Sequence, residues 1–411
     1  MLLANLGVSA AARAQARAEP SLPTPLRLEQ VLSFAHEHRA EIVAAQARAR
    51  AFAQRPAIVS ALDDPMLAPS LDHLPFMLNG ADVSLTLEQR FPLSRVLGNR
   101  ERAAEADVRR ARAEADKIAL DVELEAASAF LMLQERRQMA SILTEQRLLA
   151  EQFVRAATAR YAAGTGSQAE ALRAEIEISR LDGALRSIAA ETRSAEVMLN
   201  TSLGLASLRA PVAELDSSIS AVAAPPADAV IVAALHERPE LRMGSAELSR
   251  AQAEVTVMQA MYTPMAMVRT GPAYTMADGL GWMLMIGISV PIWRGKLNAS
   301  VAEAEAMVNM AQADLVAMRR MVMGEALSLR EQLVGSRERF LALRDEIIPR
   351  AQQAIDPTLA GYSSGQLPLV SVIEAAQALW SSQGELVSAQ FELGLAWARL
   401  HRAMGDKGTK R

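Results

Sequence analysis

The chain has no cysteine among its 411 residues. That excludes disulfides, thiolate catalysis, Cys-based zinc sites and a lipid-bearing N-terminal cysteine. Aromatic residues make up only 4% of it although 51% is hydrophobic, so a core built on bulky rings is excluded and closely packed thin helices are favoured. Charge of one sign does not dominate: the formal net charge is −4, and no basic stripe interleaves with aromatics, which excludes nucleic acid as a partner. A long hydrophobic run is also missing. The longest uncharged apolar stretch, Gly279 to Trp293, falls short of the roughly 20 residues of a spanning helix and carries glycines and a proline. Any membrane contact therefore has to be made by strands. Among the few histidines, His36, His38, His73, His236 and His401, no zinc-like spacing occurs, and no nucleophile–base arrangement or phosphate loop is present. The expectation is a chain with no cofactor, no resident metal and no catalysis.

What is there is mostly Ala, Leu, Glu, Arg and Gln, the composition of long helices. The stretch Leu2–Ala16, ending in Ala14-Gln15-Ala16, reads as the tail of a secretory signal or as a disordered N-terminus, and 1–27 is set apart on that ground.

The chain repeats itself over roughly 200 residues. Arg39-Ala40-Glu41-Ile42 matches Arg238-Pro239-Glu240-Leu241, and Pro92 and Asn99 match Pro291 and Asn298, all at an offset of 199. Glu105-Ala106 matches Glu305-Ala306 at 200, and Arg160-Tyr161-x-x-Gly164 matches Gly361-Tyr362-x-x-Gly365 at 201. Each half (28–204 and 230–405) reads as a moderate helix (28–60, 228–262) and a β-hairpin (64–92, 263–291). A very long helix (95–162, 295–363), a Gly turn (163–167, 364–368) and a returning helix (168–203, 369–404) follow. A Pro- and Ser-rich linker, 205–229, joins the halves, and 406–411 is a disordered tail.

The returning helices carry the clearest periodicity. Val372, Ala375, Leu379, Ser382, Leu386, Ala389, Leu393, Ala396 and Leu400 recur at spacings of three and four, and subtracting 201 gives Ala171, Ala174, Ile178, Leu181, Leu185, Ile188, Thr192, Ala195 and Leu199. That is a coiled-coil seam present twice. In the hairpins, Val83, Leu85 and Leu87 alternate with Ser84, Thr86 and Glu88, and Tyr262, Tyr274, Trp282 and Trp293 flank the second one as interfacial aromatics do. Four strands cannot close a barrel, and open edges are not tolerated in lipid. If the strands cross a membrane, several chains must pool them, and three chains make twelve. The other reading is a soluble hairpin capping a helical bundle. Methionine is frequent, twenty in all, and crowds into Met258, Met261, Met265, Met267, Met276, Met283, Met285, Met307, Met310, Met318, Met321 and Met323. Thioethers bind Cu(I) and similar soft ions, but the favoured reading is adaptable apolar packing in strands and helix seams.

These motifs resemble the TolC family of outer-membrane efflux ducts over nearly the whole chain, from about 28 to 405. The residues that carry the resemblance are Tyr161-x-x-Gly164 with Glu170, Tyr362-x-x-Gly365 with Val372-Ile373-Glu374-Ala375-Ala376-Gln377, the strand exit Gly287-Ile288-Ser289-Val290-Pro291-Ile292, and His236-Glu237-Arg238-Pro239-Glu240-Leu241. The segment from Asp64-Pro65-Met66-Leu67 to His73-Leu74-Pro75 resembles the branch paired with heavy-metal cation pumps. The resemblance implies a mainly α fold with a small β part: a duplicated long-helix α-barrel plus four strands per chain, closing as a twelve-stranded barrel in a homotrimer. It implies an outer-membrane location reaching into the periplasm, and as partners outer-membrane lipid, a periplasmic adaptor and an inner-membrane pump. The cargo would be metal ions or small toxic compounds. The Tyr-x-x-Gly turns would be the periplasmic tips, with Tyr161, Gly164, Glu170, Tyr362, Gly365, Ser371 and Glu374 as tip or gating residues. Ser371 stands where the family has an acidic residue, and Leu367 where it has a basic one. Two other readings are carried alongside: a soluble or peripheral coiled-coil scaffold, and the periplasmic adaptor of the same kind of system.

Overall fold

The computed structural model describes residues 24–77, 80–208, 212, 214–215, 223–275 and 277–406. The signal-like stretch, Leu78 and Asn79, Met276, part of the linker and most of the tail lie outside the described residues. So does the side chain of His73.

Each half runs through the same elements. In the first, α1 (Leu28–His38), α2 (Ala40–Phe52) and α3 (Arg55–Val59) lead to β1 (Met66–Met77) and β2 (Gly80–Pro92). The long α4 (Val96–Ala162) and the returning α5 (Gln168–Ser202) follow. In the second, α6 (Ala227–Glu237) and α7 (Pro239–Ala260) lead to β3 (Met265–Thr275) and β4 (Gly279–Ser289). Then come α8 (Arg294–Ala342), a π-turn (Leu343–Ile347), α9 (Ile348–Ser363) and α10 (Leu369–Met404). At ~1.5 Å per residue the 67 residues of α4 span on the order of 100 Å. The result is a mainly helical chain with one four-stranded sheet.

The expected single helices 28–60 and 228–262 are each broken, at the duplicated arginines. Arg39 (φ −69°, ψ 126°) and Arg238 (φ −67°, ψ 124°) are both extended. Beside Pro239 this is the conformation that proline imposes on its predecessor. In the first half Ala40 stands there and buried bonds hold the same break. Arg39 donates to Glu41 (2.9 Å), to Glu125 (3.0 Å) and to the Ser202 carbonyl (2.9 Å). Arg238 mirrors it with Glu240 (3.1 Å) and Glu325 (2.6 Å).

The mid-section cores are also copies. Val31, Ala35, Ile42, Val122, Ala126, Leu133, Ala195 and Leu199 form one. Val230, Ala234, Leu241, Val322, Ala326, Leu333, Ala396 and Leu400 form the other. No position of either returning-helix seam is exposed.

The second long helix departs from the expected continuous 295–363. Its buried seam runs by sevens through Ala326, Leu333 and Phe340, then steps by eight to Ile348 before resuming sevens at Ile355 and Tyr362. The π-turn absorbs the extra residue and keeps the seam facing inward. It also accounts for the repeat offset. Ala304, Ala311, Val322, Ala326 and Leu333 pair with Ala104, Ala111, Val122, Ala126 and Leu133 at 200, whereas beyond the π-turn Tyr362 pairs with Tyr161 at 201.

The sheet has the order β1-β2-β3-β4, antiparallel throughout. Register puts Glu88 opposite both Met66 and Arg269, and Arg269 opposite Met285, which assigns the paired strand residues to one of two faces. β1 and β4 are open edges within the chain.

Candidate functional site

Two regions can carry function: the turns at the far end of the long helices, and the sheet.

Both tip turns close in the same way. The Arg160 carbonyl accepts from Thr165 N (2.9 Å) and Gly166 N (3.0 Å), and the Gly361 carbonyl accepts from Gln366 N (2.8 Å) and Leu367 N (3.0 Å). Each reversal passes through a left-handed glycine, Gly164 at φ 72° and Gly365 at φ 80°, a region that suits glycine. The side chains are exchanged between the copies. Tip one has Arg160 with Gly166. Tip two has Gly361 with Leu367, whose Cδ1 lies 2.8 Å from where a Cβ at 361 would sit.

The two motif tyrosines differ in their surroundings. Tyr161 is 50% exposed, whereas Tyr362 is 1% exposed in a core with Phe153, Ala157, Ala174, Ile355, Leu369 and Val372. Arg160 joins the two tips. Its guanidinium lies 4.7 Å over the Tyr362 ring, and it donates to the Tyr362 carbonyl and to the Thr165 carbonyl (3.1 Å). The Tyr362 hydroxyl is buried with no hydrogen-bond partner among the described residues. Burial and the nearby Glu170 carboxylate raise its pKa above the usual phenol value, against the opposing pull of Arg160.

The acidic candidates separate as well. Glu170 is half-buried and closes a capping box: its N–H donates to Ser167 Oγ (3.3 Å), and Ser167 N donates to its carboxylate (3.4 Å). Glu374 is exposed, one turn into α10, and Ser371 is half-buried on the first turn. Arg160 was not singled out in the sequence, because an arginine on a long helix reads as part of a solvated face. Its pairing with Gly166, against Gly361 with Leu367 in the copy, was the available signal.

The sheet is inverted relative to a soluble one. One face carries Leu67, Leu71, Val83, Leu85, Leu87, Phe91, Tyr274, Leu280, Trp282, Leu284, Ile286 and Ile288, all between 38 and 82% exposed. The opposite face holds Ser84, Thr86 and Glu88, all buried. There Ser70 and Ser84 share a hydrogen bond (2.7 Å), and Glu88 pairs with Arg90 (3.2 Å) and Arg269 (2.5 Å). On the apolar face the Trp282 indole N–H donates to Thr270 Oγ1 (2.7 Å).

Among the described residues no group of three or more His, Asp or Glu could hold a metal ion. Among them, too, no helix is long and apolar enough to cross a membrane, which says nothing about strands.

Residues 230–406 match the family model described as outer membrane efflux protein. That match covers less than half of the chain, and over it the chain resembles the family. The family is one of transport proteins and not of enzymes. The cobalt-zinc-cadmium resistance protein CzcC of Cupriavidus metallidurans is 25% identical over 265 residues, 63% of this chain and 61% of that protein. The match thus spans less than two thirds of that relative's length. Among solved structures, CusC superposes with a TM-score of 0.81 at 15% identity, covering 92% of both chains. VceC of Vibrio cholerae gives 0.77 at 18%, covering 92% of this chain and 96% of the other. MtrE of Neisseria gonorrhoeae, solved in its open state, gives 0.77 at 17%, covering 94% and 90%. At these identities the structures establish the shared fold.

Proposed function

We propose that this protein is the exit duct of a tripartite efflux system. Three copies pool their sheets into a twelve-stranded barrel in the outer membrane, and their long helices form a tunnel through the periplasm. The observation that carries this reading is the inverted sheet. An apolar face across all four strands, with polar and charged groups on the other, suits lipid outside and water inside. The open edges β1 and β4 need partners in lipid, and copies of the chain supply them.

The duct takes metal ions or small toxic compounds from an inner-membrane pump through a periplasmic adaptor and performs no chemistry on them. The tip is the entry. Arg160, on the first turn, ties the second turn through Tyr362, and opening requires that tie to break. Glu170 and Glu374, tripled by symmetry, place carboxylates around the entry, where they attract cations. Of the two, Glu374 is the freer to meet cargo, since Glu170 is engaged in its capping box.

Planar-bilayer recording of the purified protein tests the reading. Discrete conductance steps from a heat-resistant trimer are expected. A soluble monomer that forms no pores would reject the duct and favour the coiled-coil scaffold.

A further inference from the structure

The strands contain five described methionine side chains, and register places all five on one face. Met66 is opposite Glu88, Met265 opposite Ser289, Met267 opposite Gly287, Met283 opposite Gly271 and Met285 opposite Arg269. This is the polar face. The apolar face uses Leu, Ile, Val, Phe, Tyr and Trp and has no methionine among its described residues. Methionine chosen for adaptable packing belongs on the lipid face or in a helix seam. Here it lies among Ser, Thr, Glu and Arg, and three of the five, Met66, Met265 and Met285, are exposed.

The register sets the methionines at neighbouring positions of β3 and β4. Met267 reaches across to β4, where its Cε lies 2.9 Å from the position a Cβ at Gly287 would take. Only glycine leaves that space. The Met267 side chain therefore lies between the positions of Met285 and Ser289 on the same face, and Met285 is its diagonal neighbour, a spacing that long side chains span. Met283 is next along β4. Charge among the described side chains of this face balances: Asp82 and Glu88 stand against Arg90 and Arg269. Thioether sulfur is therefore the donor that distinguishes the face. With no cysteine in the chain, it is also the chain's only soft donor. Thioethers select soft cations over Zn²⁺- or Co²⁺-like ions, which prefer imidazole, thiolate and carboxylate.

We infer that Met267 and Met285, extended by Met283, form a low-coordinate thioether site for a soft monovalent cation of the Ag(I) or Cu(I) class on the water-facing side of the barrel. The inference rests on the duct reading, which makes that face the lumen. Weak sites on the barrel wall give a leaving cation successive resting points without trapping it.

The test is titration of the purified full-length protein in detergent with Ag(I) nitrate in chloride-free buffer, with Zn²⁺ as a parallel probe. Single-channel recording is made on the same preparation. Wild type is expected to bind Ag(I), with Zn²⁺ at least tenfold weaker. The double variant Met267→Leu/Met285→Leu is expected to lose about one Ag(I) per chain, while the helix control Met307→Leu/Met310→Leu keeps it. X-ray absorption of the bound silver is expected to show sulfur neighbours in wild type that the double variant loses. Equal Ag(I) binding by wild type and double variant, or none by either, in a preparation that forms pores overturns the inference and leaves the duct standing. A preparation that binds Ag(I) at this pair without forming pores sinks the duct, and with it the lumenal placement of the site.

Discussion

Replacing Arg160 with leucine is the sharpest perturbation of the tip. The guanidinium makes two hydrogen bonds to carbonyls, of Tyr362 and Thr165, and stacks on a buried ring. A hydrogen bond to a charged group contributes about 1.5–3 kcal/mol and a partly exposed cation–π contact about 0.5–1 kcal/mol. The contacts to Tyr362 join the two turns, whereas the bond to Thr165 stays within the first. Arg160 is half-buried, so solvent screening discounts these values, and the two joining contacts come to about 1.4 kcal/mol per chain. At about 1.4 kcal/mol per tenfold, that is roughly a tenfold shift from tied to released tips. The expected result in planar bilayers is a larger conductance or a higher open probability. Arg160→Lys, which keeps the charge and loses the planar fork, should fall between the two. Tyr362→Phe should leave the record unchanged, because Arg160 uses the ring and the main-chain carbonyl and the hydroxyl has no partner among the described residues. Conductance and open probability identical in Arg160→Leu and the parent would refute the latch.

Gly405→Ala should cost more stability than Gly204→Ala. Both backbones are left-handed at φ 73°, but the new Cβ would lie 2.8 Å from the Glu237 carbonyl carbon at 405 and 3.5 Å from its nearest neighbour at 204. Thermal unfolding of the two variants measures the difference, with ~1 kcal/mol of backbone strain common to both. Deleting Glu346 from the π-turn should be tolerated, because the seam then returns to spacings of seven. Deleting Glu331 should instead rotate the remainder of the helix by about 100° and unfold the tip core; protease sensitivity of the tip separates them. Arg402 bonds Asp121 (2.7 Å) and Glu240 (2.7 Å). Burial pushes both carboxyls up, but Arg402, with Lys117 at Asp121 and with Arg238 and a backbone hydrogen bond at Glu240, more than offsets it, so both are held below their ordinary values. Their contribution to stability is present above the unfolded carboxylate range near pH 4 and is lost as pH falls through the lowered values, so Arg402→Met should flatten acid denaturation below about pH 4.5. Leu284→Arg, on the apolar face at the middle of β4, should weaken membrane assembly by about 2–4 kcal/mol, read as loss of heat-resistant trimer.

The helices and hairpins were legible because periodicity is a local property. Val83, Leu85 and Leu87 alternate with Ser84, Thr86 and Glu88, and the seam of α10 recurs in α5. Where sequence reasoning fell short, a tertiary contact decided. The break at Arg39 depends on Glu125 and the Ser202 carbonyl, far along the chain, so nothing in 28–60 announces it. The π-turn was visible as a drift in the repeat offset, but a drift does not say where the extra residue goes. At the tip, the motifs made Tyr161 and Tyr362 look alike. Burial separates them, because Arg160 and Leu367 exchange places with glycines between the copies. Methionine was the least legible. Counting placed it in strands and seams, and only cross-strand register put the strand methionines together on the polar face.

The central claim is that three copies pool their strands. The most direct measurement is the mass of the protein after detergent extraction from outer membranes, by light scattering corrected for bound detergent. The account predicts a protein mass three times the 44.3 kDa of one chain, collapsing to one on boiling. A mass of 44.3 kDa before boiling, or recovery of the protein only from the soluble fraction, would contradict it.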